Sequence, residues 1–305
     1  MSRRVAVLLG GWSSEREVSL VSGAAISDAL SGLGYHPTPV DVGRDIASKL
    51  TEMRLYTDVV FNALHGRYGE DGSVQGLCEL LGLAYTHSGI LASALAMDKP
   101  MAKRLFVDAG LPVADGKVVG RTEIMAGDPM PRPYVIKPLN EGSSVGVRIV
   151  HEGDPASPFD QEQWVYGDEV LVEAYVPGHE IAVAVMGDRA LGALEIRPRD
   201  GFYDYEAKYV AGRADHLMPA PMPDDDYQQS LSIAKQAHDA LGCSGVTRAD
   251  LRYDDSDGGL GLRLLEINTQ PGMTPLSLVP EIAAHAGFDF PQLVKWMVED
   301  ARCRG

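Results

Sequence analysis

The strongest constraint on this chain is that its first hundred residues alternate short apolar runs with segments of helical period. Val5–Leu9 is an apolar run that stops at Gly10-Gly11. Val18, Val21, Ala25, Ala29 and Leu33 then recur every three or four residues, the spacing of an amphipathic helix, and Gly34 closes it. Val40–Val42 and Asp58–Asn62 read as two further strands, Val74–Leu81 as a helix and Leu83–Thr86 as another strand. Such alternation predicts a parallel, doubly wound sheet, whose ligands sit beyond the C-terminal ends of its strands.

The pattern changes at Asp98. A predicted helix, Lys99–Ala109, ends at Gly110, and the strands Lys117–Val119, Tyr134–Lys137, Val145–Val150 and Val170–Glu173 follow, punctuated by Pro and Gly as in an antiparallel α+β unit. From about Pro177 the strands are longer (Glu180–Met186, Leu191–Ile196, Thr247–Tyr253, Leu262–Asn268), with helices at Asp226–Leu241 and Pro291–Ala301. The expected units are residues 1–97, 98–177 and 178–305. The apolar start is too short for a signal peptide, and no run approaches the roughly 18–20 residues that span a membrane. A net charge of −16 without a basic run disfavours long nucleic acid, though a local Lys/Arg pocket for a small anion remains open. Cys78, Cys243 and Cys303 lack CxxC spacing, which fits a reducing cytoplasm and argues against a disulfide framework or zinc.

Three segments carry chemistry. In YVIKPLNEGSSVGVRIV (Tyr134–Val150) a strand ends near Lys137, and a loop containing Gly142, Ser143, Ser144 and Gly146 follows. Glycines let the backbone approach a ligand, and hydroxyls and N–H groups suit phosphate oxygens. A Gly-Ser hairpin turn is the plainer reading; Lys137 just before the loop favours phosphate. The second segment is a hairpin with arms Thr247–Tyr253 and Leu262–Asn268. Strand alternation puts Arg248 with Asp250 and Glu266 with Asn268 on one face. A turn centred near Gly258 sets Asp250 opposite Glu266. These oxygens suit Mg²⁺; a solvated face with a salt bridge is the alternative. Leu264 and Ile267 argue for burial, where unpaired carboxylates are expensive, and a metal resolves that conflict. Beyond the hairpin, Pro271-Gly272 makes a turn that exposes the Gly272 N–H, and Ser277 caps a following helix whose N-terminus attracts carboxylates. The third segment, LGGWSSEREVSLVSG, joins the first strand to its helix. Ser14-x-x-Glu17 has capping-box spacing, and Glu15 and His65 both lie at the ligand-facing edge of the sheet, where either also fits a structural role.

These stretches, with NALHGRYGEDGSVQG, AMDKPMAK, FYDYEAKY and LLEINTQPGMTPLS, occur in an order that resembles the D-alanine–D-alanine ligases of the ATP-grasp superfamily. The resemblance spans nearly the full chain. It implies an α/β (α+β) fold, with a Rossmann-like N-terminal domain and two α+β domains clasping ATP. It implies ATP-dependent joining of two D-alanine molecules through a D-alanyl-phosphate, for peptidoglycan precursors of the cell wall, in the cytoplasm. It further implies a homodimer formed through the N-terminal domain, with neither nucleic acid nor membrane as partner.

Carried onto this sequence, the family pattern gives each group a role. Lys99 and Lys137 would hold ATP phosphates beneath Ser143 and Ser144. Glu173 and the backbone of Ala174, Tyr175 and Val176 would bind adenine, with Phe202 against its ring and Glu180 on the ribose. Lys208 would reach the γ-phosphate, in a lid spanning residues 201–212. Asp250, Glu266 and Asn268 would hold two Mg²⁺ ions, with Mn²⁺ as an alternative. Glu15 would take the first D-alanine's ammonium, with His65 nearby, while Ser143 and Tyr209 bond with Glu15. Ser277 and the Leu278 N–H would take the second carboxylate, and Arg248 and the Gly272 N–H the oxyanion. Tyr209 goes with an amine acceptor, where Phe accompanies D-lactate. Trp12 is bulkier, and Gln270 larger, than the residues expected at those places, and the central domain is short. The rival readings are an ATP-grasp ligase for D-serine or D-lactate and a non-catalytic ATP-binding module.

Overall fold

The computed structural model describes residues 3–140, 142, 146–154, 164, 166–199 and 212–303. The first unit runs β1 (Arg4–Gly10), α1 (Arg16–Gly32), β2 (His36–Val42), α2 (Ile46–Met53), a 3-10 turn (Arg54–Tyr56), β3 (Val59–Asn62), α3 (Ser73–Leu81), β4 (Ala84–Tyr85) and α4 (Ile90–Met97). Its strands are parallel, in the order β2-β1-β3-β4. Because β1 connects outward to β2 on one side and β3 lies on the other, the loops leaving β1 and β3 diverge and open a crevice at their C-terminal ends. Those loops carry Glu15 and His65.

The buried face of α1 is Val18, Ser19, Ser22, Gly23, Ile26, Ser27 and Leu30. The stripe read from the sequence is therefore rotated, since Val21 and Leu33 are exposed. Small residues win this face because the helix lies close on β1: a side chain at Gly23 would bring its first carbon within 2.5 Å of Leu9 Cβ. Gly34, at φ +80°, turns the chain away, and the Tyr35 N–H donates to the Leu30 carbonyl.

The second sheet follows α5 (Lys99–Asp108). It comprises β5 (Gly116–Gly120), β6 (Tyr134–Lys137), β7 (Arg148–Val150) and β8 (Glu169–Ala174), antiparallel in the order β5-β8-β6-β7, with α6 (Arg121–Ala126) beside it. The third sheet, in the order β11-β10-β9-β12-β13, is built from β9 (His179–Met186), β10 (Arg189–Pro198), β11 (Ala214–Leu217), β12 (Val246–Asp254) and β13 (Gly261–Asn268). Its helices are α7 (Asp224–Ala240), α8 (Leu278–His285) and α9 (Phe290–Asp300).

The first and third units share one core. Val7, Leu30 and Phe61 pack with Ala182, Leu194 and Ile282. Ala102 and Phe106 of α5 join the opposite face of the third sheet with Val183 and Leu251. The second sheet keeps its own core around Tyr134, Ile136 and Val172. No helix among the described residues is long and apolar enough to cross a membrane, and all three cysteines are free.

Candidate active site

A cavity of about 790 Å³ lies between the second and third sheets, with Lys137, Glu173, Val176, Glu180, Asp250 and Glu266 in its wall. A smaller one, about 60 Å³, is lined by Glu15, His65, Arg248, Asn268, Gly272 and Ser277 among others. Glu180, Ile196, Asp250 and Glu266 line both, so the cavities adjoin at the metal-type side chains.

The larger wall is organised by charge. Lys137 ends β6, and its ammonium lies 2.6 Å from the Glu173 carboxylate on β8; Lys103 of α5 pairs with the other Glu173 oxygen. Burial disfavours the charge of both Lys137 and Glu173, but their mutual attraction outweighs it. The Lys137 ammonium is held above the usual lysine range, and the Glu173 carboxyl below the usual carboxylate range. Of the backbone after Glu173, the Ala174 and Tyr175 N–H groups donate to the Asp115 and Pro133 carbonyls at 2.8 and 3.1 Å. Arg252 donates to the Val176 and Gly178 carbonyls at 3.0 and 2.8 Å, fixing the segment's exit.

At the join, β12 and β13 pair Arg248 with Asn268 and Asp250 with Glu266, the register inferred from the turn centre at Gly258. A bulge beyond Asp250 then shifts the pairing by one residue. The carboxylates are not unpaired, so the expense that the sequence argument set against a metal is already offset, in line with its salt-bridge alternative. The Arg248 fork grips Asp250 at 2.6 and 2.7 Å, Asn268 donates to Asp250 at 3.0 Å, and the Lys99 ammonium lies 3.5 Å from Glu266. Among the described residues no three His, Cys, Asp or Glu side chains converge as metal ligands. Two carboxylates and a carboxamide still suit a hard cation that takes its other oxygens from phosphate or water.

The smaller wall is a lattice of loops. Helix α1 starts at Arg16 with Glu15 in the N-cap position, so the predicted Ser14–Glu17 capping box does not form. Instead the Ser13 hydroxyl accepts from the Glu15 N–H and donates to the His65 carbonyl at 2.7 Å, tying the β1 and β3 loops together. Glu15 is only 7% exposed. His65 Nδ1 lies 3.1 Å from Glu70, and Nε2 lies 3.4 Å from the Ser22 hydroxyl. That hydroxyl also accepts from the Met273 N–H, which ties the histidine to the loop beyond Gly272. Burial pushes the Glu70 carboxyl above its usual range, against the His65 hydrogen bond and with help from the nearby Glu15 charge. Sequence reasoning missed Glu70: in GRYGEDG nothing separates it from the adjacent Asp71.

Ser277 stands at the N-cap of α8 but does not cap it, a second correction. Its hydroxyl oxygen accepts from the Thr274 N–H at 2.9 Å and meets the Thr274 hydroxyl at 2.9 Å. A side chain at Gly272 would come within 2.8 Å of that oxygen and would have to displace the Ser277 hydroxyl. Gly142 reaches this wall. Ser143, Ser144, Phe202, Lys208 and Tyr209 lie outside the described residues.

Comparison with known proteins identifies this arrangement. The model for the D-ala D-ala ligase C-terminus matches residues 105–299, and that for the N-terminus residues 42–88. The D-alanine–D-alanine ligase of Paramagnetospirillum magneticum is 59% identical over 312 residues, covering 99% of this chain and all of the relative. The chain belongs to the D-alanine–D-alanine ligase family. It is an enzyme of that family, whose known role is ATP-dependent ligation for peptidoglycan synthesis. The ligase of Granulibacter bethesdensis is 54% identical, over 99% of both chains. The fold is that of solved ATP-grasp ligases: the Bacillus anthracis D-alanine–D-alanine ligase complexed with ATP superposes with a TM-score of 0.82 at 27% identity, covering 98% of this chain and 97% of that one. The VanG D-Ala:D-Ser ligase of Enterococcus faecalis gives 0.79 at 29% identity, over 98% and 99%. Within this ligase family, then, one fold serves different second substrates, and the backbone alone does not choose between them.

Proposed function

We propose that this chain binds ATP in the larger cavity, joins two D-alanine molecules in the smaller one, and passes through a D-alanyl-phosphate where the two adjoin. The observation that carries this reading is the sharing of Asp250 and Glu266 between a lysine-lined cavity and an acid-lined one. ATP phosphates fit Lys99 and Lys137, with Ser143, Ser144 and Lys208 as the further contacts. Adenine fits the segment from Glu173 to Val176 with Phe202, and the ribose fits Glu180. Because two N–H groups of that segment are already engaged, its remaining backbone groups would read the base. Asp250, Glu266 and Asn268 would hold two Mg²⁺ ions, which supply charge neutralisation for the transferring phosphoryl group.

The first D-alanine's ammonium goes to Glu15, with His65 and Tyr209 around it. Its carboxylate oxygen attacks the γ-phosphorus, and ADP leaves. The second D-alanine, its carboxylate at Ser277 and the Leu278 N–H, attacks the acyl carbon through its amine. Phosphate departs and the amine loses a proton. The tetrahedral oxyanion falls to Arg248, held in place by Asp250, and to the Gly272 N–H. Water must be kept out, because the acyl-phosphate hydrolyses. A division at residues 97 and 177 gives each of three domains one sheet, and we extend the reading to a cytoplasmic homodimer formed through the first.

The test is amino-acid-dependent ADP release with Mg-ATP and D-alanine, L-alanine, D-serine, or D-alanine plus D-lactate, with products weighed by mass spectrometry. D-alanyl-D-alanine with ADP, from D-alanine alone, is the expected outcome. Mixed dipeptides or a depsipeptide would move the second-substrate assignment. ATP binding without amino-acid-dependent turnover would leave a binding module.

A further inference from the structure

We infer that Gln270 is a positioning residue that fixes the acyl-transfer loop against the first-substrate loop; this rests on the ligase reading above. Gln270 immediately precedes Pro271-Gly272 and is 2% exposed. Its amide donates to the Leu64 carbonyl, and its oxygen accepts from Asn62 Nδ2 at 2.7 Å. Asn62 ends β3 and organises the loop beyond it: its amide also donates to the Gly69 carbonyl at 2.9 Å, and its oxygen accepts from the Leu64 N–H at 3.2 Å. That loop carries His65 and Glu70. One carboxamide therefore spans two loops about two hundred residues apart in sequence, one bearing the first-alanine groups and the other the Gly272 N–H. A second link runs alongside, from the Met273 N–H to Ser22.

The glutamine offers a donor and an acceptor at one reach, and both partners are buried. An apolar residue of equal size would fill the space but leave the Leu64 carbonyl and an Asn62 N–H unsatisfied. Gln270 lines the smaller cavity and is absent from the larger one, so its loss should spare ATP binding and act most on acyl transfer, the step that needs both loops in register. With the loops displaced, the second amine attacks less often and water competes at the acyl carbon. The carbon–oxygen bond to phosphate breaks, phosphate leaves, and D-alanine is regenerated, so that ADP appears without dipeptide.

The experiment measures dipeptide formed per ADP released, together with the Michaelis constants for ATP and for each D-alanine, in the native enzyme, Gln270→Met and Gln270→Glu. The expected result is kcat/KM for the second D-alanine lower by about tenfold to a hundredfold, as for a misplacement of about 1 Å. Fewer than one dipeptide should form per ADP, and KM for ATP should be unchanged. Gln270→Glu retains the acceptor for Asn62 and sets a carboxyl oxygen in place of the donor to Leu64, so it removes the other half of the link where Gln270→Met does not fold. One dipeptide per ADP with an unchanged second-substrate KM in either folded variant overturns the inference, as does a uniform fall in all constants. No dipeptide from the native enzyme would instead overturn the ligase reading.

Discussion

Two glutamates, one in each cavity wall, are driven in opposite directions. Glu173 is 3% exposed and lies between the Lys137 and Lys103 ammoniums; burial opposes its charge, but the lysines hold its carboxyl below the usual range. Glu70 is also largely enclosed, yet its neighbours are a histidine and the acidic Glu15, so burial prevails and its carboxyl is raised. The company a carboxylate keeps, more than its depth, decides its charge. The ammoniums of Lys137 and Lys99, both in the larger wall, make it receptive to phosphate. Glu15, in the smaller wall, makes that one receptive to an ammonium.

The hardest test of this contrast is Glu173→Gln. Removing one partner of a buried ion pair leaves the lysine charges uncompensated and should lower stability by about 3–5 kcal/mol at neutral pH. The sign with pH follows from the lowered carboxyl. Its contribution is fully present above the ordinary value of 4.5 and is lost as pH falls through the lower folded value. Denaturant unfolding of native and variant protein should therefore differ most at neutral pH and converge in acid. Equal stability at neutral pH would mean that the lysines do not depend on Glu173, and the contrast would fail.

Arg248→Ala acts where the two walls meet. The loss of one oxyanion donor raises a barrier by about 3–4 kcal/mol, so D-alanine-dependent turnover should fall by about a hundredfold to a thousandfold. The fold should persist, because Asp250 keeps its bond from Asn268. Near-normal turnover with an unchanged unfolding curve would remove Arg248 from the chemistry and leave it as the partner of Asp250 alone.

What was legible in the sequence divides along the same line. Strand ends and their alternation put Lys137, Asp250, Glu266 and Arg248 on cavity walls, because the period of two is a local property; the pairing of Asp250 with Glu266 came out as expected only because a bulge next to Asp250 offsets the turn by one residue. Helix α4 was not legible: ILASALAM is apolar on every side and shows no stripe to read. The smaller wall was legible only in part. Glu15 and His65 follow from their places after β1 and β3, but Ser22 and Gln270 act through partners far away in sequence, which no spacing announces, and Glu70 is told from Asp71 only by the folded loop that brings it to His65. The failed capping box has the same origin. Ser14-x-x-Glu17 is a local pattern, and the His65 carbonyl, a distant group, drew Ser13 into a different bond.

The finest discrimination between the walls comes from Glu70→Gln. Because the Glu70 carboxyl is raised in the folded protein, its contribution to stability is fully present below the ordinary value of 4.5. That contribution is lost as pH rises through the higher folded value. This slope is opposite in sign to that of Glu173. A glutamine keeps a hydrogen-bonding partner for His65 Nδ1 and removes the carboxyl group beside Glu15. The variant should therefore match or exceed the native protein at neutral pH, by an amount on the order of 1 kcal/mol for one altered hydrogen bond. The difference should shrink as pH falls below 4.5, again read from unfolding curves across pH. If Glu70→Gln instead weakens the protein at neutral pH as severely as Glu173→Gln does, pairing with His65 outweighs burial at Glu70. The smaller wall would then be held by charge just as the larger one is.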